Sequence, residues 1–125
     1  VELHLRSGRL QEVSGFSPEV REVIYTRDKQ RCARCGARTT QIQHRRARGM
    51  GGTKRAETNL PANGILLCGS ATQGCHGWVE SHRAEGIANG WIVSQSQEPA
   101  TVPVMYLAGW YMLDDMGLRK PLPTR

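Results

Sequence analysis

Residues 63–80 read Asn63-Gly64-Ile65-Leu66-Leu67-Cys68-Gly69-Ser70-Ala71-Thr72-Gln73-Gly74-Cys75-His76-Gly77-Trp78-Val79-Glu80. The run Ile65-Leu66-Leu67 is short, apolar and bounded by turn residues, which predicts a buried strand ending at Cys68. A helix is expected to begin near Cys75 or His76, with Asn89-Gly90 offering its C-cap. A strand and a helix therefore each deliver one cysteine. Upstream, Cys32-Ala33-Arg34-Cys35 supplies the other two of the four cysteines in the chain. Two pairs in this arrangement predict a closed tetrahedral Zn²⁺ site of four thiolates, soft ligands that suit a redox-inert ion. The first pair has knuckle spacing, and the second is looser, with residues 69–74 between its ligands. Disulfides need an oxidising compartment, to which nothing in the sequence points. A redox Cys-x-x-Cys should open a helix in a thioredoxin-like pattern that is absent.

Outward from this centre, residues 1–16 show no clear period and read as an N-terminal arm. Ser17-Pro18-Glu19 then starts a helix: serine caps, proline fits the first position and the acid suits the dipole. Val20, Val23 and Ile24 give it a buried stripe. Residues 39–43 favour a short strand leading into His44. A polar, glycine-rich loop runs from Arg45 to about Pro61. Trp91-Ile92-Val93 is expected as a strand, and Val102–Tyr106 with Trp110–Leu113 as a hairpin followed by a turn at Asp114-Asp115-Met116-Gly117. The expected organisation is an arm (1–16), a central domain (17–93) and a C-terminal β extension packed on the same domain (94–125). Trp78, Trp91 and Trp110 are expected in the core.

The 125 residues carry a net charge of +6, unevenly spread. Between Arg27 and Arg55 lie ten Lys or Arg residues and one acid, for a net of +9, leaving −3 for the remainder. Such a block suggests a surface facing a polyanion, most simply nucleic acid. No apolar run long enough for a transmembrane helix occurs, and Val1–Arg6 lacks the apolar stretch of a secretion signal. A soluble chain, without membrane partner and cytoplasmic (host-cell cytoplasm if phage-encoded), is the expectation.

Cys32-x2-Cys35, Gln43-His44-Arg45-Arg46, Gly49-Met50-Gly51-Gly52, Asn63-Gly64-Ile65-Leu66-Leu67-Cys68 and Cys75-His76-Gly77-Trp78-Val79-Glu80 follow one another in an order that resembles the HNH endonucleases. The likeness is to small bacteriophage versions with a zinc knuckle, and it covers about residues 20–93. It implies an α+β fold with a ββα-metal (His-Me finger) core, a four-cysteine zinc knuckle, an N-terminal helix and a small C-terminal β hairpin. His44 matches the first motif histidine, Asn63 the middle asparagine and His76 the last histidine; Asn59 competes with Asn63 for the middle position.

The resemblance implies metal-dependent hydrolysis of DNA phosphodiester bonds. His44 would be the general base, as an imidazole with an unperturbed pKa of about 6.5 suits proton abstraction near neutrality. His76, on the helix, would hold one divalent cation, Mg²⁺ or Mn²⁺, that stabilises charge at the phosphate and leaving oxygen. Asn63 would orient the loop and His44. Many family members have Asp or His directly before the base, whereas this chain has Gln43, whose amide oxygen can ligate a hard cation without adding charge. Glu80 lies only ~40° around the helix from His76 and is the further candidate ligand; its other reading is a surface acid beside Arg83. His82, about 120° away, is a poorer co-ligand. Arg45, Arg46, Arg48, Lys54 and Arg55, in the loop between base and asparagine, would contact backbone phosphates. Two alternatives stand beside this reading. One is a non-catalytic zinc-containing nucleic-acid-binding module, which needs neither His44 nor His76. The other is an accessory protein of phage DNA packaging, with packaging proteins as partners.

Overall fold

The computed structural model describes residues 15–47 and 56–123. Helix α1 spans Pro18–Asp28, and the Ser17 hydroxyl accepts from the Val20 amide at 3.2 Å, capping it. It stops where Lys29 turns left-handed at φ 57°. Ile24 is fully buried, whereas Val23 is 36% exposed, so the predicted stripe is narrower than its spacing suggested. The chain then folds back through a knuckle clasped by pairing of Arg31 with Arg38.

Strand β1 (Ile42–His44) pairs antiparallel with β2 (Gly64–Leu66), with His44 opposite Gly64 and Gln43 opposite Ile65. The continuous apolar run of β2 has a physical cause. Ile65 and Leu67 join a core with Cys32, Cys75, Val79 and Trp91, while Leu66 joins Phe16 and Ile24 on the opposite side. A strand buried on both faces needs apolar residues at every position. At Gly64 a Cβ would sit about 3.0 Å from the Phe16 ring and still closer to Ile24, so the missing side chain lets Phe16 settle against His44.

Helix α2 (Gly74–Ser81) begins at the second cysteine pair. It breaks at His82 and resumes as α3 (Arg83–Ala88). The end of α3 is a Schellman motif: the Trp91 amide donates to Gly86 O, the Gly90 amide to Ile87 O, and Gly90 takes φ 75°. Residues 91–93 form no strand. They run as buried irregular chain, held by the Val93 amide on Arg45 O and by Trp91 O, which accepts from the Gln43 amide. The apolar triplet meets single partners from separate segments, not a ladder.

The C-terminal part is a meander, β3 (Val104–Tyr106), β4 (Gly109–Leu113) and β5 (Arg119–Pro121), in spatial order β3-β4-β5. It extends the expected hairpin by one strand. The Asp114 carboxylate accepts from the Met116 and Leu118 amides and closes the intervening turn. Val104, Tyr106 and Leu113 share the core of Ile65 and Val79. Two expectations shift here. Phe16, read as part of the arm, is buried at 5% exposure, and Trp110, read as core, is 37% exposed. The architecture is α+β, with small antiparallel sheets and a cluster of four cysteines. Among the described residues no helix is long and apolar enough to cross a membrane.

Candidate functional site

The knuckle turn presents Cys32 and Cys35, the end of β2 presents Cys68, and the start of α2 presents Cys75. All four Sγ atoms lie within 4.8 Å of one another. The Cys35 and Cys68 sulfurs are 3.7 Å apart, far beyond a disulfide bond of about 2.05 Å. A tetrahedral Zn²⁺ with Zn–S near 2.3 Å spaces its sulfurs by about 3.8 Å, so the cluster has the right size for that ion. Backbone amides and an arginine already point at the sulfurs. The Cys35 amide donates to Cys32 Sγ, and Arg34 Nη1 reaches Cys75 Sγ at 3.3 Å. Arg34 also lies over the Trp78 ring at 3.8 Å, and Trp78 stacks on His82 at 4.0 Å. Burial, reinforced by the neighbouring sulfurs, pushes the Cys75 thiol up to about 12 despite the Arg34 hydrogen bond. Burial also opposes ionisation of Cys32, but the amides of Cys35, Cys68 and Arg34 outweigh it and hold that thiol below its ordinary value.

On β1, His44 and Gln43 diverge. The His44 ring stacks on Phe16 at 4.2 Å with an interplanar angle of 14°. Its Nε2 lies 2.8 Å from Asn59 Oδ1. Gln43 is buried and donates its amide to Trp91 O at 3.2 Å, while its Oε1 is buried without a hydrogen-bond partner. His76 Nδ1 is the other buried side-chain polar atom without a partner among the described residues. Such atoms are few in folded proteins, and each marks a place where an unseen ion or water fits. Gln43, His44 and Glu80 line one recess of about 170 Å³. His76 is not among its lining residues. Glu80 also pairs with Arg83 at 3.8 Å, both being exposed, so its surface reading is realised alongside its place at the recess. His82 Nδ1 donates to Trp78 O and stays on the surface.

Asn63 is fully buried and acts on the loop. Its Oδ1 accepts from the Arg46 amide at 2.7 Å, and its Nδ2 donates to Arg46 O and Thr58 O. The His44 ring makes its hydrogen bond to Asn59 Oδ1, on the competing candidate. The two asparagines thus divide a task expected of one.

Arg45 and Arg46 correct the expected phosphate contacts. Each is about 1% exposed. Arg45 donates to the carbonyls of Gly90, Ala62, Pro99 and Val102 at 2.7–3.0 Å. Burial pulls its guanidinium down to about 10, so it stays charged at neutral pH. Arg46 donates to Gln97 O and pairs with Glu57. A basic pair in a polar loop reads as a phosphate clamp, yet these two cations tie four separate segments together from inside. Arg48, Lys54 and Arg55 lie outside the described residues. Of the exposed cations that are described, Lys29, Arg31 and Arg38 sit on the cysteine knuckle, Arg21 on α1, Arg83 at the start of α3 beside the His44 recess, and Lys120 on β5.

Sequence reasoning placed Asn59 second to Asn63 as the histidine's partner, and missed Phe16 as its stacking ring and Arg34 as the cluster's donor. Arg34, between the first two cysteines, was the one with a positional signal. Comparison with protein families, with curated proteins and with solved structures finds no match for this chain.

Proposed function

We propose that the chain is a metal-dependent endonuclease of the HNH type that hydrolyses DNA phosphodiester bonds, with a ββα-metal core stapled by structural zinc. The observation that carries the reading is the pair of buried, partnerless atoms Gln43 Oε1 and His76 Nδ1. They belong to the residue directly before the proposed base, on β1, and to the last motif histidine, on α2. A histidine nitrogen, an amide oxygen and the Glu80 carboxylate are donor types that suit a divalent cation such as Mg²⁺ or Mn²⁺, with Gln43 and Glu80 meeting at the recess. When bound, that ion would supply Lewis-acid stabilisation of charge on the phosphate.

The chain's own residues do the rest. His44 takes a proton from the attacking water. With Asn59 Oδ1 as acceptor, the ring carries its hydrogen on Nε2 and its basic lone pair on Nδ1. Phe16 holds the ring plane from one side. Asn63 and the buried Arg45 fix the loop that follows the base, so the imidazole need not reorganise during reaction. The structural zinc, held by Cys32, Cys35, Cys68 and Cys75, anchors the start of α2 against β2.

The test is cleavage of supercoiled plasmid with added Mn²⁺ or Mg²⁺, which His44→Ala should abolish. A second reading, a non-catalytic zinc-containing nucleic-acid-binding module, is favoured by Lys29, Arg31 and Arg38 on the knuckle surface. It predicts binding to plasmid without cleavage under any divalent cation. An accessory role in phage DNA packaging would be read from capture of packaging proteins by the purified chain.

A further inference from the structure

His44 lines two recesses. One holds Gln43 and Glu80; the other, about 250 Å³, is lined by Phe16, Arg21, Tyr25, Thr40, Gln41 and again His44. We propose that this second recess, between α1 and the approach to β1, binds the nucleotide adjoining the phosphate at His44. The inference rests on the nuclease reading, because that reading puts a phosphate at His44.

A polynucleotide that sets one phosphate at the base must continue past it, and the recess is the adjacent space. Its chemistry suits a nucleotide. No carboxylate is among its lining residues, and Arg21 contributes a cation. Arg21 Nε is engaged by Phe16 O at 3.2 Å, and no partner among the described residues holds its Nη groups. The Tyr25 ring is half-buried at the rim, and the Gln41 side chain is exposed there. A ring offers sequence-tolerant stacking, and a glutamine amide offers the paired donor and acceptor that base edges present. The size decides how much enters. At about 250 Å³ the recess lies below the ~300–1,000 Å³ of sites for drug-sized ligands, room for a single nucleotide. Phe16 is already stacked on His44, so Tyr25 is the ring left to receive a base.

The experiment is an amide NMR titration of the zinc-loaded full chain with each of the four 2′-deoxynucleoside 5′-monophosphates, and with inorganic phosphate as control. The expected result is nucleotide-dependent shifts at Tyr25, Thr40 and Gln41 that phosphate does not reproduce. Tyr25→Leu should weaken all four nucleotides about tenfold. Gln41→Ala, at an exposed position, should leave thermal unfolding unchanged and reduce the discrimination among bases. Equal shifts with phosphate alone, no shifts at those amides, or unaltered nucleotide affinity in both variants would overturn the subsite. Plasmid cleavage by the wild-type chain is measured in parallel. Cleavage without nucleotide shifts overturns the subsite alone. Nucleotide shifts without cleavage leave the subsite standing and overturn the nuclease reading.

Discussion

Asn59 Oδ1 accepts a hydrogen bond from His44 Nε2 at 2.8 Å. The asparagine stands in a 3-10 turn (Ala56–Asn59) directly before the one that ends at Asn63. The contact sets which imidazole nitrogen is basic, so Asn59 is a positioning residue. Asn59→Asp puts a carboxylate beside the ring and favours the imidazolium. Since only the neutral ring accepts a proton, the acid limb of the pH–rate profile should move up by ~1 unit. Asn59→Ala should lower kcat without moving that limb. A profile that is unchanged in the Asp variant would remove Asn59 from the mechanism.

The two candidate ligand residues separate from the base by metal titration. His76→Ala and Gln43→Ala should lose both cleavage and affinity for Mn²⁺, with excess metal restoring part of the activity. Gln43→Asp, which adds charge at the same position, should tighten Mn²⁺ binding about tenfold. His44→Ala should lose cleavage while Mn²⁺ affinity in calorimetry stays near wild type. Equal loss of metal affinity in His44→Ala would make His44 itself a ligand.

Arg45 is a test of scaffold against interface. Its guanidinium joins carbonyls from residues 62, 90, 99 and 102, which no two neighbouring elements could bring together alone. Arg45→Met keeps the length but removes the donor from all four carbonyls, of which Pro99 O keeps the Val102 amide. It should cost roughly 3 kcal/mol or more in denaturant unfolding, since each buried acceptor left unpaired costs about 1–3 kcal/mol. A phosphate-contacting arginine would instead leave stability untouched and flatten the salt dependence of DNA binding.

The same residue explains what the sequence could not disclose. The cysteine cluster was legible because metal ligands are rare residue types in a spacing that few other constraints produce. The β1–β2–α2 order was legible because an apolar run buried on both sides and a well-capped first helix are local signals. Arg45 and Arg46 were not, since an arginine bound for phosphate and one bound for buried carbonyls have identical side chains. What distinguishes them is loop closure across more than fifty residues. Residues 91–93 misled for a related reason: burial selected Trp91, Ile92 and Val93, but their amides go to Gly86 O at the helix end and to Arg45 O, and they build no ladder. In β5, Lys120 and Pro121 carry no alternating apolar signal, so the third strand was hidden.

Zinc is expected at one ion per chain, and its removal should undo more than the knuckle. Cys32 and Cys75 are packed in the same core as Ile65, Val79 and Trp91. Ligand binding energy at such a site is folding energy. A strong chelator should therefore abolish the cooperative thermal transition and loosen α2 as well as the knuckle in hydrogen exchange. Arg34→Met, which loses the hydrogen bond to Cys75, should weaken zinc about tenfold and leave the fold intact with excess metal. Zinc-free protein that unfolds at the same temperature would refute the structural role.

Tyr106 makes stability depend on alkaline pH with a definite sign. Its hydroxyl donates to Asp28 Oδ1 at 2.9 Å, in the buried group that also holds the Arg27 guanidinium. Burial raises its pKa above the ordinary value of about 10, and the Asp28 charge and hydrogen bond add to this against the pull of Arg27 and Arg119. An acid whose folded pKa is raised contributes stability that is fully present below its unfolded pKa. That contribution is lost as pH climbs from there toward the folded value, because the unfolded chain releases its proton first. Tyr106→Phe removes the ionisable group and leaves Asp28 paired with Arg27. Near neutrality the variant should be about 1–2 kcal/mol less stable than wild type. Above pH ~10 the gap should close by about 1.4 kcal/mol per pH unit, because only wild type loses the linked stabilisation. Arg45, whose guanidinium also feels the Tyr106 charge, belongs to the same coupled group. Urea unfolding at pH 8, 10 and 11 measures it; a gap that stays constant would show that Tyr106 ionises in the folded chain as readily as in the unfolded one.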